Sequence, residues 1–499
     1  MLGCAVLACL SLASPAMSQS LRSRIDSIIT NADIGNARVG VSILDVQTGA
    51  TILERNDTAT YTPASNMKLL TSGAALSVLG PDYVFRTELA LDGDRVIVRG
   101  SGDPAFADPE ILRNTEPPLT IDDFLNTLAD AVIKHLPDGP SEIIVDDRVF
   151  DREYVHPTWD PDDLNKWYAP EVSGLNFHGN LLAVFASPSP EGIDNPPRIS
   201  IQPNAPWIGL TNHAKTIAKG SNTYWLARAP DANNFTIYGG VRQPSPLPKN
   251  TPTHKNALLF GQFLADRIMQ KNIPVGNQHR TTLNPPKAIR LPDENESLPH
   301  GQLIAVVTTP IAEVLNRCDT DSINLYAEAL LKRMGNEVTH EPGSWSNGST
   351  VLRMVIADRL GSEAAAQTII ADGSGLSHSD KVSPRVLAMW LRSMANDKEL
   401  SKPFIESLAT PGRGTFTRRF RNVTLHNTIA GKSGTLTGVR TLSGYVISKT
   451  GKSFAFSIMA NNVPTNKGAN ASRMAEHIVT ELDAYLDAQN TRNQHALGG

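Results

Sequence analysis

From Ser65 onward the chain carries Met67, Leu69, Leu70, Ala74, Ala75, Leu76, Val78 and Leu79, and Gly80 closes the run. On a helix these residues cover most of the circumference instead of one stripe, so the spacing predicts a helix, Ser65 to Leu79, buried on nearly all sides. Its opening breaks that pattern. Ser65 stands at the start and Lys68 follows one turn later, and a lysine carried into an apolar interior is costly unless it has a role.

A chain of 499 residues is too long for a single hydrophobic core, so two or three domains are expected. Gly and Pro number 36 and 34, which suits a loop-rich mixed protein better than a helical bundle. With 46 Lys and Arg against 50 Asp and Glu, the net charge of −4 gives no reason to invoke nucleic acid or an anionic membrane surface.

The N-terminus reads as a signal peptide over residues 1–18. Leu2 to Ala13 is a small, apolar run, and Ser14, Ala16 and Ser18 fit cleavage after Ala16 or Ser18. No Lys or Arg precedes Arg22, a departure from the usual basic start. The run is short for a bilayer span, and no other stretch approaches the length of one. The expectation is export, to the periplasm or beyond. Cys4 and Cys9 would leave with the signal, and Cys318, in an apolar helical stretch, reads as packing.

Along the chain, Leu21 to Ile29 predicts a short helix, followed by strands Val39 to Val46 and Thr51 to Arg55. From Phe85 to about Asn250 the pattern changes to short strands and Pro-rich turns with few helices. Lys255 to Lys271 predicts a helix. Pro310 to Arg317 and Ser322 to Met334 predict two more, the second ended by Gly335. Strands Leu442 to Ser448 and Ser453 to Asn461 precede a final amphipathic helix, Ala471 to Leu486. Its polar face would carry Glu476, Glu481, Asp483 and Asp487, a face suited to packing on a sheet and not on a membrane. The plan is one α/β (α+β) domain split in sequence by a β-rich insertion.

Three short signals carry chemistry. Ser65-Asn66-Met67-Lys68 gives S-x-x-K, Ser322-Ile323-Asn324 gives S-x-N, and Lys432-Ser433-Gly434 follows later. Positions i and i+3 share a helix face, so the Lys68 ammonium can reach Ser65 Oγ. Lysine can take the serine proton only if its pKa falls from ~10.4 towards neutrality, a shift of about three units or ~4 kcal/mol. Burial and a second cation, Lys432, would both push it that way. Ser322 would relay the proton to the leaving amine, and Asn324 would orient Lys68 and the substrate amide. The backbone N–H groups of Ser65 and Thr435 would form the oxyanion hole.

Each motif alone is weak, but their order and settings together resemble the penicillin-binding set. The chain is similar to the class C low-molecular-mass penicillin-binding proteins, the D-alanyl-D-alanine carboxypeptidase/endopeptidase family, over nearly its whole mature length. Gly100-Ser101-Gly102-Asp103-Pro104, Asn324-Leu325-Tyr326-Ala327-Glu328, Asp372 to Ser377, and Gly434 through Val446 carry the resemblance further. It implies a transpeptidase/β-lactamase-like domain (19–90 and 300–499), an inserted domain II (91–180 and 252–299) and a domain III (181–251) nested within that.

The implied activity is cleavage of peptidoglycan stem peptides at D-Ala-D-Ala, with D,D-endopeptidase activity beside it and β-lactams as covalent inhibitors. Substrate contacts would come from Ser433, Gly434, Thr435 and Thr437 on the Lys432 strand, and from Ser374. Asp162 and Trp167 would line a pocket for the stem-peptide side chain. His378 stands where many relatives have an Arg, so its hold on a substrate carboxylate would be weaker and pH-dependent. K-T-G appears as Lys432-Ser433-Gly434, one hydroxyl replacing another, and S-D-N carries Ile323 at its centre.

A literal Lys449-Thr450-Gly451 lies between two predicted strands and reads as a hairpin turn. No G-x-S-x-G is present, and the histidines show no metal-ligand spacing, so no metal or cofactor is expected. Two competing functions remain: a non-catalytic peptidoglycan-binding or β-lactam-sensing protein, and a β-lactamase. Ser65 and Ser322 lie much farther apart in the chain than the compact β-lactamase fold allows, and a sensor without turnover has little need for Ser322.

Overall fold

The computed structural model describes residues 15–281 and 284–497. The expected signal segment, with Cys4 and Cys9, lies outside the described residues except for the backbone of 15–18, which begins helix Pro15–Asn31. The chain forms two compact units. One comprises the residues through Leu69, Ala357–Ile369 and Lys381 onward; the other comprises Leu70–Ile356 and Ile370–Asp380. Among the described residues, no helix is long and apolar enough to cross a membrane.

An antiparallel sheet organises the first unit. Its strands run, in order, Thr428–Leu436, Val439–Ile447, Ser453–Asn461, Arg38–Asp45 and Thr51–Arg55. Side chains alternate between faces along each strand. Val39, Val41, Ile43, Leu442, Phe454, Phe456 and Ile458 face one way and share a core with Leu21 and Ile25 of the first helix and Ile478 and Leu482 of helix Gly468–Leu497. The other face carries small residues, Gly40, Ser42, Ser443 and Ser457, beside larger ones such as Lys432, Tyr445 and Met459. Register places Lys432, Ser443, Ser457 and Ser42 in one cross-strand row, with Ser443 Oγ donating to Ser457 Oγ at 3.0 Å. At Gly40 an added Cβ would lie 2.7 Å from the Tyr61 ring and 2.8 Å from Pro384, the first residue of helix Pro384–Ala395. Small side chains on this face let that helix and the Tyr61 segment lie directly on the backbone.

The last helix corrects one expectation. Asp483 is not on its solvent face but fully buried, accepting the His426 and Asn427 backbone N–H groups at 2.9 Å each. The Lys449–Gly451 segment is the hairpin turn its setting predicts, closed by Gly451 N–H donating to Ser448 carbonyl at 3.0 Å.

The second unit holds a five-stranded mixed sheet, ordered Ile289–Arg290, Glu142–Asp146, Arg95–Arg99, Val84–Asp92 and Gln302–Pro310. Helix Asn256–Gln270 packs on it together with helix Ile121–His135, which the reading of this region as short strands passed over. The signal was present: Ile121, Phe124, Leu125, Leu128 and Val132 recur at helical spacing behind a Thr120–Asp123 capping box. Short sheets fill the 181–252 region. Cys318 is buried in helix Ile311–Asp319, the packing role expected of it.

Two boundaries differ from expectation. The helix predicted from Ser322 begins at Asn324, because Ser322 itself adopts a left-handed backbone, φ +64°. That helix also runs past Gly335 to Thr339. Gly335 serves close packing instead of termination: an added Cβ would lie 2.0 Å from Asn347 Oδ1 and 2.7 Å from Gly348 N.

Candidate active site

In the first unit, Pro63 to Ser65 leads through the single turn Ala64–Asn66 into helix Met67–Leu79. Ala64 is held at φ +47°, a strained position for a residue with a Cβ. Ser65 is partly exposed, whereas Lys68 is fully buried, and Lys68 Nζ donates to Ser65 Oγ at 3.3 Å. Of the expected site residues, the structure therefore brings this pair together as the i, i+3 geometry requires.

Lys432 lies on the edge strand Thr428–Leu436, fully buried, with Nζ donating to the Ser433 carbonyl at 3.0 Å. Three contacts clamp this strand and its neighbour to the Ser65 turn. Asn66 Nδ2 donates to the Lys432 carbonyl at 2.7 Å, and Thr441 Oγ1 donates to the Pro63 carbonyl at 2.8 Å. At Gly434 an added Cβ would meet Thr441 Oγ1 at 2.2 Å and the Ser65 backbone N at 3.0 Å. The glycine of K-S-G is thus required by the approach of the Ser65 backbone.

Gly431 exchanges backbone hydrogen bonds with Ala409, on the side of the strand away from Val439–Ile447. By the two-residue alternation of an antiparallel strand, the Ser433 and Thr435 amides face that same outer edge. Thr435 and, beyond the strand, Thr437 are exposed.

In the second unit, Asn324 opens helix Asn324–Thr339, and its Nδ2 donates to the Tyr168 carbonyl at 2.7 Å. The helix cap position is Ile323, without a side-chain cap bond, so Ser322 is not serving as a capping serine. Tyr168 belongs to the segment that carries the expected side-chain pocket. Its hydroxyl donates to Asp163 Oδ1 at 2.6 Å, and its ring meets Trp167 edge-on at 5.8 Å. Asp162 is exposed in the one-turn helix Pro161–Asp163, and Trp167 is 49% exposed.

The Asp372–Ser377 loop is held by two buried carboxylates. Glu328 accepts the Gly373 and Ser374 N–H groups at 2.9 and 2.8 Å and Trp345 Nε1 at 2.8 Å. Asp372 accepts Trp159 Nε1 at 2.9 Å and the Gly375 and Ser377 N–H groups at 2.7 Å each. Burial, with Asp372 nearby, raises the Glu328 pKa to about 7, and the same two causes carry Asp380 well above the carboxylate range. Ser374 is fully buried and its Oγ accepts the Leu376 N–H at 3.3 Å, while His378 is exposed at the loop's end.

Sequence reasoning missed the residues that support the site. Asn66 was only the second letter of S-x-x-K, and Glu328 only the end of a family motif. Glu328 had a usable signal, since it lies four residues after Asn324 and so on the same helix face. The Tyr168 carbonyl had none, because its partner Asn324 comes from a distant segment. Among the described residues, no group of His, Cys, Asp or Glu is arranged to hold a metal ion.

Comparisons with known proteins agree on one family. A model described as the D-Ala-D-Ala carboxypeptidase 3 (S13) family matches residues 21–483. A D-alanyl-D-alanine carboxypeptidase of Actinomadura sp. (strain R39) is 27% identical over 467 residues, covering 90% of this chain and 82% of its own length. D-alanyl-D-alanine carboxypeptidase DacB of Haemophilus influenzae is 22% identical over 472 residues, 90% of each chain. The crystal structure of penicillin binding protein 4 from Haemophilus influenzae covers 92% of this chain and 99% of its own, with a TM-score of 0.70 at 20% identity, so the fold is shared.

Proposed function

This chain belongs to the D-Ala-D-Ala carboxypeptidase 3 (S13) family and is a serine-type D-Ala-D-Ala carboxypeptidase, and from that premise we propose that Ser65 is its nucleophile and Lys68 the base. The observation that carries this assignment is the 3.3 Å hydrogen bond from the fully buried Lys68 Nζ to Ser65 Oγ. A lysine buried from solvent with a hydroxyl in reach is poised to exchange a proton with that hydroxyl.

Ser65 Oγ attacks the carbonyl of the penultimate D-Ala as its proton passes to Lys68. The oxyanion that forms is stabilised by the Ser65 and Thr435 N–H groups, and the outward edge of the Lys432 strand supports that role for Thr435. Collapse breaks the amide bond. The proton passes through Ser322 to the departing D-Ala amine, and Asn324 orients the substrate amide. Water then hydrolyses the acyl-enzyme by the reverse proton route. Lys432 supplies the positive charge beside the base and, with Ser433, Gly434, Thr435 and Thr437, the strand along which the peptide lies.

D,D-endopeptidase cleavage is part of the same proposal, because a cross-linked D-Ala bond asks for the same chemistry. Asp162 and Trp167 are proposed to line the pocket for the stem-peptide side chain, Ser374 to contact the substrate, and His378 to hold a substrate carboxylate. β-Lactams acylate Ser65 in this reading, supported by the crystal structure of Haemophilus influenzae penicillin binding protein 4 complexed with a novel β-lactam. Export by residues 1–18 to a periplasmic or extracellular site fits a peptidoglycan substrate.

The nested insertion is also proposed. Val84 pairs with Pro310 across antiparallel strands, and Leu181 pairs with Pro252, so residues 91–299 and, within them, 181–251 each leave and return at one place. Replacing Ser65 by Ala tests the catalytic proposal. Release of D-Ala should cease while the unfolding transition is unchanged; continued release would refute Ser65 as nucleophile.

A further inference from the structure

Gly373 is gripped from two helices at once. Its carbonyl accepts Thr71 Oγ1 at 2.7 Å, from helix Met67–Leu79 one turn beyond Lys68, and its N–H donates to Glu328 on helix Asn324–Thr339, one turn beyond Asn324. The loop backbone lies directly on the second helix: a Cβ at Gly373 would fall 2.6 Å from the Ala327 carbonyl oxygen and 3.0 Å from Leu331 Cβ. Glu328 has a second N–H from Ser374, a third donor in Trp345 Nε1 and the Ser374 side chain against it as well, a set that an ionised carboxylate, with four lone-pair sites and no proton, accepts better than a neutral acid.

We propose that Glu328 is a positioning residue of the carboxypeptidase reaction, holding the Thr71 turn and the Asn324 helix at fixed spacing through the Gly373 peptide unit. The inference rests on the reading that Asn324 works on the substrate. Protonation of Glu328 would turn one acceptor oxygen into a donor facing N–H groups, and the grip on Gly373 would loosen. Burial and Asp372 raise the Glu328 pKa to about 7, so this change falls near neutral pH. The other charged groups around it are accounted for. Lys332, on the same helix, is committed to Asp151 Oδ1 at 2.6 Å and lies over the Trp345 ring. Asp380 stands against Asp372, and burial lowers the His156 pKa while Asp372 opposes it.

The test is the rate of D-Ala release from a D-Ala-D-Ala peptide between pH 5 and 9, in wild type, Glu328→Gln, Thr71→Val and Asn324→Ala. Glu328→Gln should lower kcat by about ten-fold or more with little change in KM, as expected for misplacement of groups that act on bound substrate. It should also flatten the part of the pH profile that rises through neutrality in wild type. Thr71→Val, which cuts the other bond to the same glycine, should lower kcat in the same way and decides the matter if Glu328→Gln fails to fold. If both folded variants keep wild-type kcat and pH profile while Asn324→Ala loses turnover, the positioning role is refuted alone. If Asn324→Ala itself keeps turnover, the underlying reading of Asn324 falls.

Discussion

Asn66 Nδ2 donates to the backbone carbonyl of Lys432 at 2.7 Å, and both residues are fully buried. This bond ties the turn carrying Ser65 to the strand carrying Lys432, two segments far apart in sequence. Replacing Asn66 by Ala removes this bond, while the Lys432 carbonyl keeps its partner on the neighbouring strand, and should cost about 0.5–1.5 kcal/mol of stability. Denaturant unfolding of the purified variant measures it. A change below a few tenths of a kcal/mol would show that the bond does not hold the turn.

Gly434 permits the same approach by having no side chain. Gly434→Ala would force a Cβ against Thr441 Oγ1 and the Ser65 backbone. Penicillin acylation should slow by about a hundred-fold, since small displacements of reacting groups cost that much. Stopped-flow acylation at wild-type rate would mean that the strand can retreat without consequence.

Lys68→Met keeps the volume of the buried chain and removes the base. General-base catalysis contributes about 10²–10⁴-fold, and a loss in that range is expected in the acylation rate constant. A loss much smaller than this would assign proton transfer elsewhere.

Asp103 gives a pH prediction away from the reaction. Its carboxyl is fully buried, accepting Thr309 Oγ1 at 2.6 Å and the Ala105 N–H at 2.8 Å, and burial raises its pKa from 3.8 to about 6. The folded state therefore holds this proton more tightly than the unfolded state. The stability from that proton is fully present below about pH 3.8 and is lost as pH rises through about 6. Asp103→Asn carries no such proton, so it should gain stability relative to wild type between pH 4 and 7. Thermal unfolding across that range checks the sign, and a constant difference would contradict it.

The legible parts of this protein were those written locally. Helix Met67–Leu79 announced itself by apolar residues all around it, and the Lys449–Gly451 turn by the strands on either side. Asp483 misled because helical periodicity places it on a polar face, while the Asn427 and His426 amides that it caps arrive from a segment far upstream. Ser322 misled differently. Serine at a helix start usually caps it, yet here the residue takes a left-handed backbone and leaves the first helical turn to Asn324. Lys68 and Ser65 could be paired from spacing alone, but the glycine, threonine and asparagine contacts that fix Lys432 beside that turn depend on strand register, which no local pattern records.

The most direct test of Ser65 as nucleophile is intact-mass spectrometry after brief exposure to penicillin, with peptide mapping of the product. One adduct on the peptide containing Ser65, absent in Ser65→Ala, is the predicted result. A folded protein that takes no adduct, or takes it on another residue, would contradict the account.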